Sequence, residues 1–310
     1  MRLRWMLRGA LLGAELGAIA LLLLVFSAEV WRLSPDFMPE GSEYSFLANS
    51  GIIAGDFFHE FGKIPLWNPL LGRGEPLVEG SFSFILNPFM SVPFLAFDGV
   101  QAGKLVLFIH MLIMAYGGWA LGNSLELRAP GRLVLALLLG ASGSFTAALS
   151  QFQMGVSQAY MPWVFAGLFG TLYRKERYHV GLLAISALLL LSAGTFWYVL
   201  PTAISCVVLV AFAIYGRSAD LKQHMAARLL LATAFTLLLS MARLLPQIDL
   251  HAHLVHPESR LSVTFPFMEM AGNYTSDVVV RGPDHYLNNI YFHYIIPPLF
   301  GGVILLAWLL

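Results

Sequence analysis

Residues 103–122 read GKLVLFIHMLIMAYGGWALG. After Lys104 the run carries no formal charge, and it has the roughly 20 mostly apolar residues that a helix needs to cross a hydrocarbon core. Comparable runs recur along the chain. Hydrophobic residues make up 58% of the sequence and charged ones 12%, with a mean hydropathy of +0.71. Soluble domains carry about 25% charged residues, so this composition predicts an all-α polytopic membrane protein. The expectation is a single transmembrane domain over residues 1–310. Net charge is zero, which gives no pull toward nucleic acid. The lone cysteine, Cys206, lies in an apolar run and reads as a small packing residue.

Working outward, the N-terminus MRLRWMLR is followed by an apolar stretch from Gly9 to Trp31. The stretch is long for a signal peptide and no A-x-A-like site ends it, so it reads as a first span. Arg2, Arg4 and Arg8 place the N-terminus in the cytoplasm by the positive-inside rule. Further spans are expected near 132–150, 156–173, two within 178–215 hinged near Gly194 and Pro201, 228–247, and one from about Ile290. With 103–122 that makes about eight. The final GGVILLAWLL is the middle of an apolar helix, and the expectation is a longer protein, truncated here at its C-terminal side. Residues 83–97, SFILNPFMSVPFLAF, are apolar but short and interrupted by Pro88 and Pro93. They read as a re-entrant or interfacial element. On that reading the Arg/Lys clusters between spans all fall on the cytoplasmic side. Residues 32–101 and 248–289 then form two extracytoplasmic loops.

The first loop holds EYSFLANSGIIAGDFFHEF, residues 43–61, an expected amphipathic interfacial helix. Phe46, Ile53, Phe57 and Phe61 recur on one side, and Asn49, Asp56 and Glu60 fall on another. Glu43 stands at its start, beside the turn SPDFMPEGS, where it would also suit the helix dipole. The following GKIPLWNPLLGRGEPLVEG is punctuated by Gly, Pro and Asn and reads as an ordered loop.

An acid ahead of G-x-(I/L)-P-L-W-N-P, then G-x-G-x-P and N-P-F, resembles the first outer loop of YfhO-like membrane proteins, in the GT-C glycosyltransferase superfamily. The matching residues are Gly62, Pro65, Leu66, Trp67, Asn68, Pro69, Gly72, Gly74, Pro76, Asn87 and Pro88. MARLLPQIDLHAHLVHPESR, residues 241–260, resembles a later family motif, and Met161-Pro162-Trp163 resembles the start of a middle span. Two positions depart from the pattern. The family's usual acid is Asp where this chain has Glu43, leaving Asp36 as an alternative, and a frequent Gly-His is Gly194-Thr195 here.

The resemblance implies a GT-C-like helical bundle in the plasma membrane. It would move a sugar from a polyprenyl-phosphate donor to a glycan or lipid acceptor on the outer face. It implies Glu43, or Asp36, as the general base that takes the acceptor's proton. The departing lipid phosphate needs a cation, and Arg243, near the outer end of its span, is the leading candidate. Arg260, Lys63, Arg73 and Lys104 are further candidates, and Trp67 and Asn68 would line the substrate site. No cofactor is implied. His251, His253 and His256 have a spacing that could suit a divalent ion but read as polar surface. Glu15, an acid inside span 1, is the other unusual residue, and His110 reads as a hydrogen-bonded contact within its span. Two alternatives stay open: a transporter or flippase for a lipid-linked sugar, and a non-catalytic protein of the same fold serving envelope assembly.

Overall fold

The computed structural model describes residues 2–33, 44–68, 75–76, 85–97, 99–150, 153–174, 176–193, 198–215 and 218–253. The chain divides into two compact units, Met1–Leu244 and Leu245–Leu310. The described part of the second is the last stretch of one helix. The packing described below concerns the first.

The architecture is α-helical. Helix α1, Arg2–Phe26, is followed after Ser27 by the short α2, Ala28–Arg32. Helix α3, Tyr44–Phe61, occupies the expected interfacial segment. Two-residue strands β1, Trp67–Asn68, and β2, Glu75–Pro76, pair antiparallel with Trp67 opposite Pro76 and Asn68 opposite Glu75. Helix α4, Pro88–Ala96, has nine residues. At 1.5 Å per residue that is about 14 Å, far short of a bilayer core of about 30 Å. The long α5, Gly99–Ser124, follows.

Helices α1 and α5 run antiparallel. Trp119 Nε1 donates to Glu15 at 2.7 Å and the Tyr116 hydroxyl to the Leu16 carbonyl at 3.3 Å, while toward the other end Trp31 packs on Phe108 and Lys104 reaches Leu33. Residues 33 and 104 therefore lie at the same end of the pair. The chain between them makes no net crossing.

The expected span at 132–150 is two helices, α6, Ala129–Gly140, and α7, Gly143–Ser150. Ser142 makes the break tolerable: its hydroxyl accepts from the Phe145 amide at 3.2 Å, a helix-capping bond. The next expected span is also divided, into α8, Gln153–Ala159, and α9, Met161–Tyr173. Pro162 is the reason. It has no N–H to return to the Gln158 carbonyl, and its ring crowds that turn. Helices α10, Tyr178–Leu191, and α11, Val199–Ile214, fall where two spans were expected. Helix α12, Ala219–His253, continues into the segment expected to start the second loop, so residues 248–253 are helical.

Direction alternates along the series. Gly118 abuts Ala136 and Gly122 abuts Arg132, so α6 runs against α5. His110 meets Tyr160, Trp163 donates to the Ile113 carbonyl and Ser124 to that of Ala166, so α9 runs with α5. Gly167 lies against Leu183 and Gly170 against His179, so α10 runs against α9. Arg228 bonds the carbonyls of Arg174 and Glu176, and Thr236 that of Ala184, so α12 runs with α10. Glycine recurs at these crossings because large apolar side chains are as well solvated by lipid as by protein. Close backbone approach is what favours association there. Among the described residues, three helical stretches are long and apolar enough to cross a membrane: Gly99–Ser124, Ala129–Thr146 and Gln223–Ala242. Shorter apolar helices lie at Ala10–Phe26, Tyr178–Leu191 and Val199–Ile214.

Candidate functional site

The segment from α2 to the start of α5 forms the candidate site, and its scaffold is built from small residues. The buried face of α3 is Gly51, Ala54 and Gly55. A Cβ on Gly51 would come within 2.6 Å of the Phe94 ring, and Gly55 stands against the Phe94 carbonyl oxygen. Phe57 and Phe61 point away from this contact, exposed and in contact with each other, their ring centroids 4.6 Å apart at a tilt of 46°. Of the apolar stripe, Phe57 and Phe61 thus face outward, and the packing surface is the glycine face.

Helix α4 is held in turn by its first residues. Asn87 caps it, Oδ1 accepting from the Phe89 amide at 3.1 Å, with Pro88 suited to the first helical position. Asn87 also joins a network within the bundle. His110 Nδ1 lies 2.7 Å from the Val106 carbonyl, which can only accept, so Nδ1 carries the proton. His110 Nε2 lies 3.1 Å from the Tyr160 hydroxyl, which in turn meets the Asn87 side-chain amide, accepting from Nδ2 at 3.0 Å and within 3.1 Å of Oδ1. Asn87 and His110 are 0% exposed and Tyr160 is 1%. Every side-chain polar group in the network is matched. Tyr160 occupies the break between α8 and α9, which is why its hydroxyl reaches both neighbours.

At the other end of the bundle, Glu15 accepts from Arg132 Nη2 at 2.6 Å and Nε at 3.1 Å, and from Trp119 Nε1 at 2.7 Å. Arg132 Nη1 donates to the Leu127 carbonyl at 3.0 Å. The two charged side chains are 13% and 21% exposed. This bidentate pair ties α1 to the α5–α6 hairpin. Glu15 has a protein partner, with no need to reach headgroups.

The predicted site residues divide as follows. Lys63 is exposed just beyond α3. Trp67 and Asn68 form β1, so the W-N-P loop is closed by a backbone ladder to Glu75 and Pro76. Arg243 lies in α12, though its side chain is outside the described residues, as are Glu43, Asp36, Arg73 and Arg260. Glu43 immediately precedes the first residue of α3. His251 and His253 end α12, and His256 falls outside the described residues. Among the described residues no cluster of His, Cys, Asp or Glu suits a metal ion. Sequence reasoning missed Tyr160 and the glycine face of α3. The signal for Tyr160 was a polar ring two residues before a proline inside an apolar run. Comparison with protein-family models, curated proteins and solved structures gives no match, so the functional reading rests on these residues and their geometry.

Proposed function

We propose that the chain is an inverting glycosyltransferase of the extracytoplasmic face of the plasma membrane, using a polyprenyl-phosphate sugar as donor. The observation that carries this reading is the fixed α3–α4 platform, which in sequence follows directly on Glu43. Helix α3 begins at the next residue, seats its glycines on α4, and α4 is locked to the bundle through Asn87, Tyr160 and His110. General-base catalysis favours a base carried on a rigid element, since a misplacement of about 1 Å costs on the order of a hundredfold in rate. In the reaction Glu43 takes the acceptor's hydroxyl proton as the oxygen attacks the anomeric carbon. The bond from that carbon to the phosphate oxygen breaks, and the electron pair leaves with the lipid phosphate, whose charge Arg243 meets. Asp36 is the reserve base.

The test is sugar transfer by the protein in proteoliposomes, with polyprenyl-phosphate sugars and a panel of glycan and lipid acceptors. Glu43→Gln should abolish transfer without altering membrane insertion. Unchanged transfer moves the base to Asp36, to be checked with Asp36→Asn. No transfer by the parent with any donor overturns the enzymatic reading in favour of a non-catalytic role. A flippase for the same lipid-linked sugar is the second reading, favoured by the Glu15–Arg132 pair, because ionisable pairs within spans mark many transport pathways. It predicts donor translocation by the parent protein that Glu15→Gln stops.

A further inference from the structure

The α5–α6 corner, the α9–α10 turn and the first third of α12 meet at one end of the bundle, and arginine joins them there. Arg174, which ends α9, donates from Nη2 to the Asn123 carbonyl at 3.3 Å and pairs with Glu126 at 3.2 Å, both at the α5–α6 corner. Arg228 of α12 donates from Nη1 to the Arg174 carbonyl and from Nη2 to the Glu176 carbonyl, the latter at 2.9 Å. Arg177 stands at the N-cap of α10 and is exposed. Three guanidinium groups thus gather at one short turn, whose sequence is Arg174-Lys175-Glu176-Arg177.

Two of these three have no carboxylate partner among the described residues. Arg132 takes Glu15, and Arg174 takes Glu126, whose side chain is 76% exposed, so that pair is weak. Glu176 lies 3.9 Å from His179 Nε2. Arg228 is half-buried and gives to two neutral carbonyls. Those bonds bracket α12 to the turn and meet the negative end of α9. They use two of the five N–H donors of a guanidinium and leave its charge unanswered.

The turn also lies where the apolar surface begins. Leu230 and Leu231, just past Arg228, are 70% and 50% exposed. Tyr178, next to Arg177, is 63% exposed, and tyrosine is a residue of the headgroup level. This is the end at which α1 begins, the one expected to face the cytoplasm. Basic pockets between membrane helices on that side suit anionic headgroups, and the planar fork of arginine matches a phosphate.

We infer that the α9–α10 turn is a binding site for an anionic phospholipid, with Arg177 and Arg228 holding the headgroup phosphodiester and Tyr178 beside it at the acyl boundary. The lipid supplies the negative charge that the corner lacks and ties α12 to the α9–α10 pair. The site stands at the opposite end from the first loop, and the inference goes beyond the proposed reaction without resting on it.

The experiment titrates the full chain in mixed micelles at fixed ionic strength with phosphatidylglycerol or phosphatidylcholine, and counts bound lipid by native mass spectrometry. Phosphatidylglycerol should bind well above phosphatidylcholine. Arg177→Gln changes an exposed side chain and should weaken phosphatidylglycerol binding about fivefold, the worth of one basic residue at an anionic surface. Arg177→Gln/Arg228→Gln should weaken it at least about tenfold, with phosphatidylcholine binding unmoved in both variants. Arg128→Gln, an exposed arginine of the same end outside the turn, should stay within about twofold of the parent, since salt screens a charge that makes no contact. Equal binding of the two lipids shows no headgroup recognition and overturns the site. A loss in Arg128→Gln as large as in Arg177→Gln shows a diffuse field and overturns it too. Inorganic phosphate bound with the same dependence on Arg177 assigns the site to a free anion and overturns the lipid assignment. If the double variant does not insert, Arg177→Gln decides alone, and phosphatidylglycerol binding equal to the parent's refutes the inference. Sugar transfer plays no part in the readout, so each of these failures leaves the proposed function standing.

Discussion

Replacing Tyr160 with Phe removes one oxygen atom from the centre of the bundle and tests whether the Asn87–Tyr160–His110 network locks α4 in place. The ring stays, so packing against His110, at 5.7 Å between centroids, is retained. Two hydrogen bonds are lost, leaving Asn87 Nδ2 and His110 Nε2 with no partner in a region that is 0% exposed at both residues. Two yardsticks bound the cost. Hydrogen bonds between membrane helices average about 0.6 kcal/mol, so the pair would be worth about 1.2 kcal/mol. Stranding a buried polar group costs about 1–3 kcal/mol each, which would give about 2–6 kcal/mol. His110 sits on a regular helix and cannot turn to solvent, which favours the second yardstick. Asn87 keeps its bond to the Phe89 amide and can shift slightly, which favours the first. The expected loss is about 2–3 kcal/mol. It is measured by reversible denaturation in mixed micelles, alongside His110→Leu and the double variant. Because each single change strands the other's partner, the double variant should lose at least 0.5 kcal/mol less than the sum. A Tyr160→Phe loss below about 0.5 kcal/mol, or strict additivity, would refute the lock.

Glu15→Leu strands the Arg132 guanidinium and should destabilise by about 3 kcal/mol in the same assay, with Glu15→Leu/Arg132→Leu recovering at least half; equal losses for the single and double variants would show that the pair is not coupled. Gly55→Ala pushes a methyl group against the Phe94 carbonyl and should cost about 1–3 kcal/mol and quicken proteolysis of residues 62–87, whereas Gly62→Ala, at φ 64° with open space around it, should leave α4 protected. In a Cys206→Ser background, single cysteines at Leu33 and Phe97 should react with an impermeant reagent from one side of the membrane and cysteines at Arg128 and Arg177 from the other; labelling of Leu33 and Phe97 from opposite sides would make residues 34–98 a crossing segment.

Much of the fold was legible because lipid imposes one strong rule, an apolar run long enough to bury its own backbone. That rule located α1, α5, α10, α11 and α12. It also made α4 too short to cross, and the common position of Leu33 and Lys104 agrees with this. The divisions at Ser142 and Tyr160 were harder to read, since a capped break leaves hydropathy untouched. Pro162 was visible, but its effect depends on whether neighbours take up the freed carbonyl. The packing face of α3 was harder to read for a related reason. Phe57 and Phe61 look like anchors to anyone thinking of water, yet it is Gly51 and Gly55 that let the backbone approach Phe94. Of the site, the sequence displayed the acids, the W-N-P loop and the basic residues one by one. Which of them are enclosed could not be read from it. Lys104 and Lys63 are the same residue type, and only the fold separates the buried one from the exposed one.

The Glu15–Arg132 pair also sets a condition on how the protein is made. Its partners are separated by 117 residues. At a synthesis rate of about 5–20 residues per second, roughly 6–23 s pass between the emergence of the acid and that of its arginine. During that interval the first helix holds a carboxylate whose partner guanidinium, that of Arg132, does not yet exist. Stable lateral release of α1 into lipid is therefore tied to the arrival of the α5–α6 hairpin, and the N-terminal helix waits at the translocon or with its acid drawn toward the nearer headgroups. A chain stalled before residue 132 should leave α1 extractable at alkaline pH, and one stalled after α6 has emerged should not.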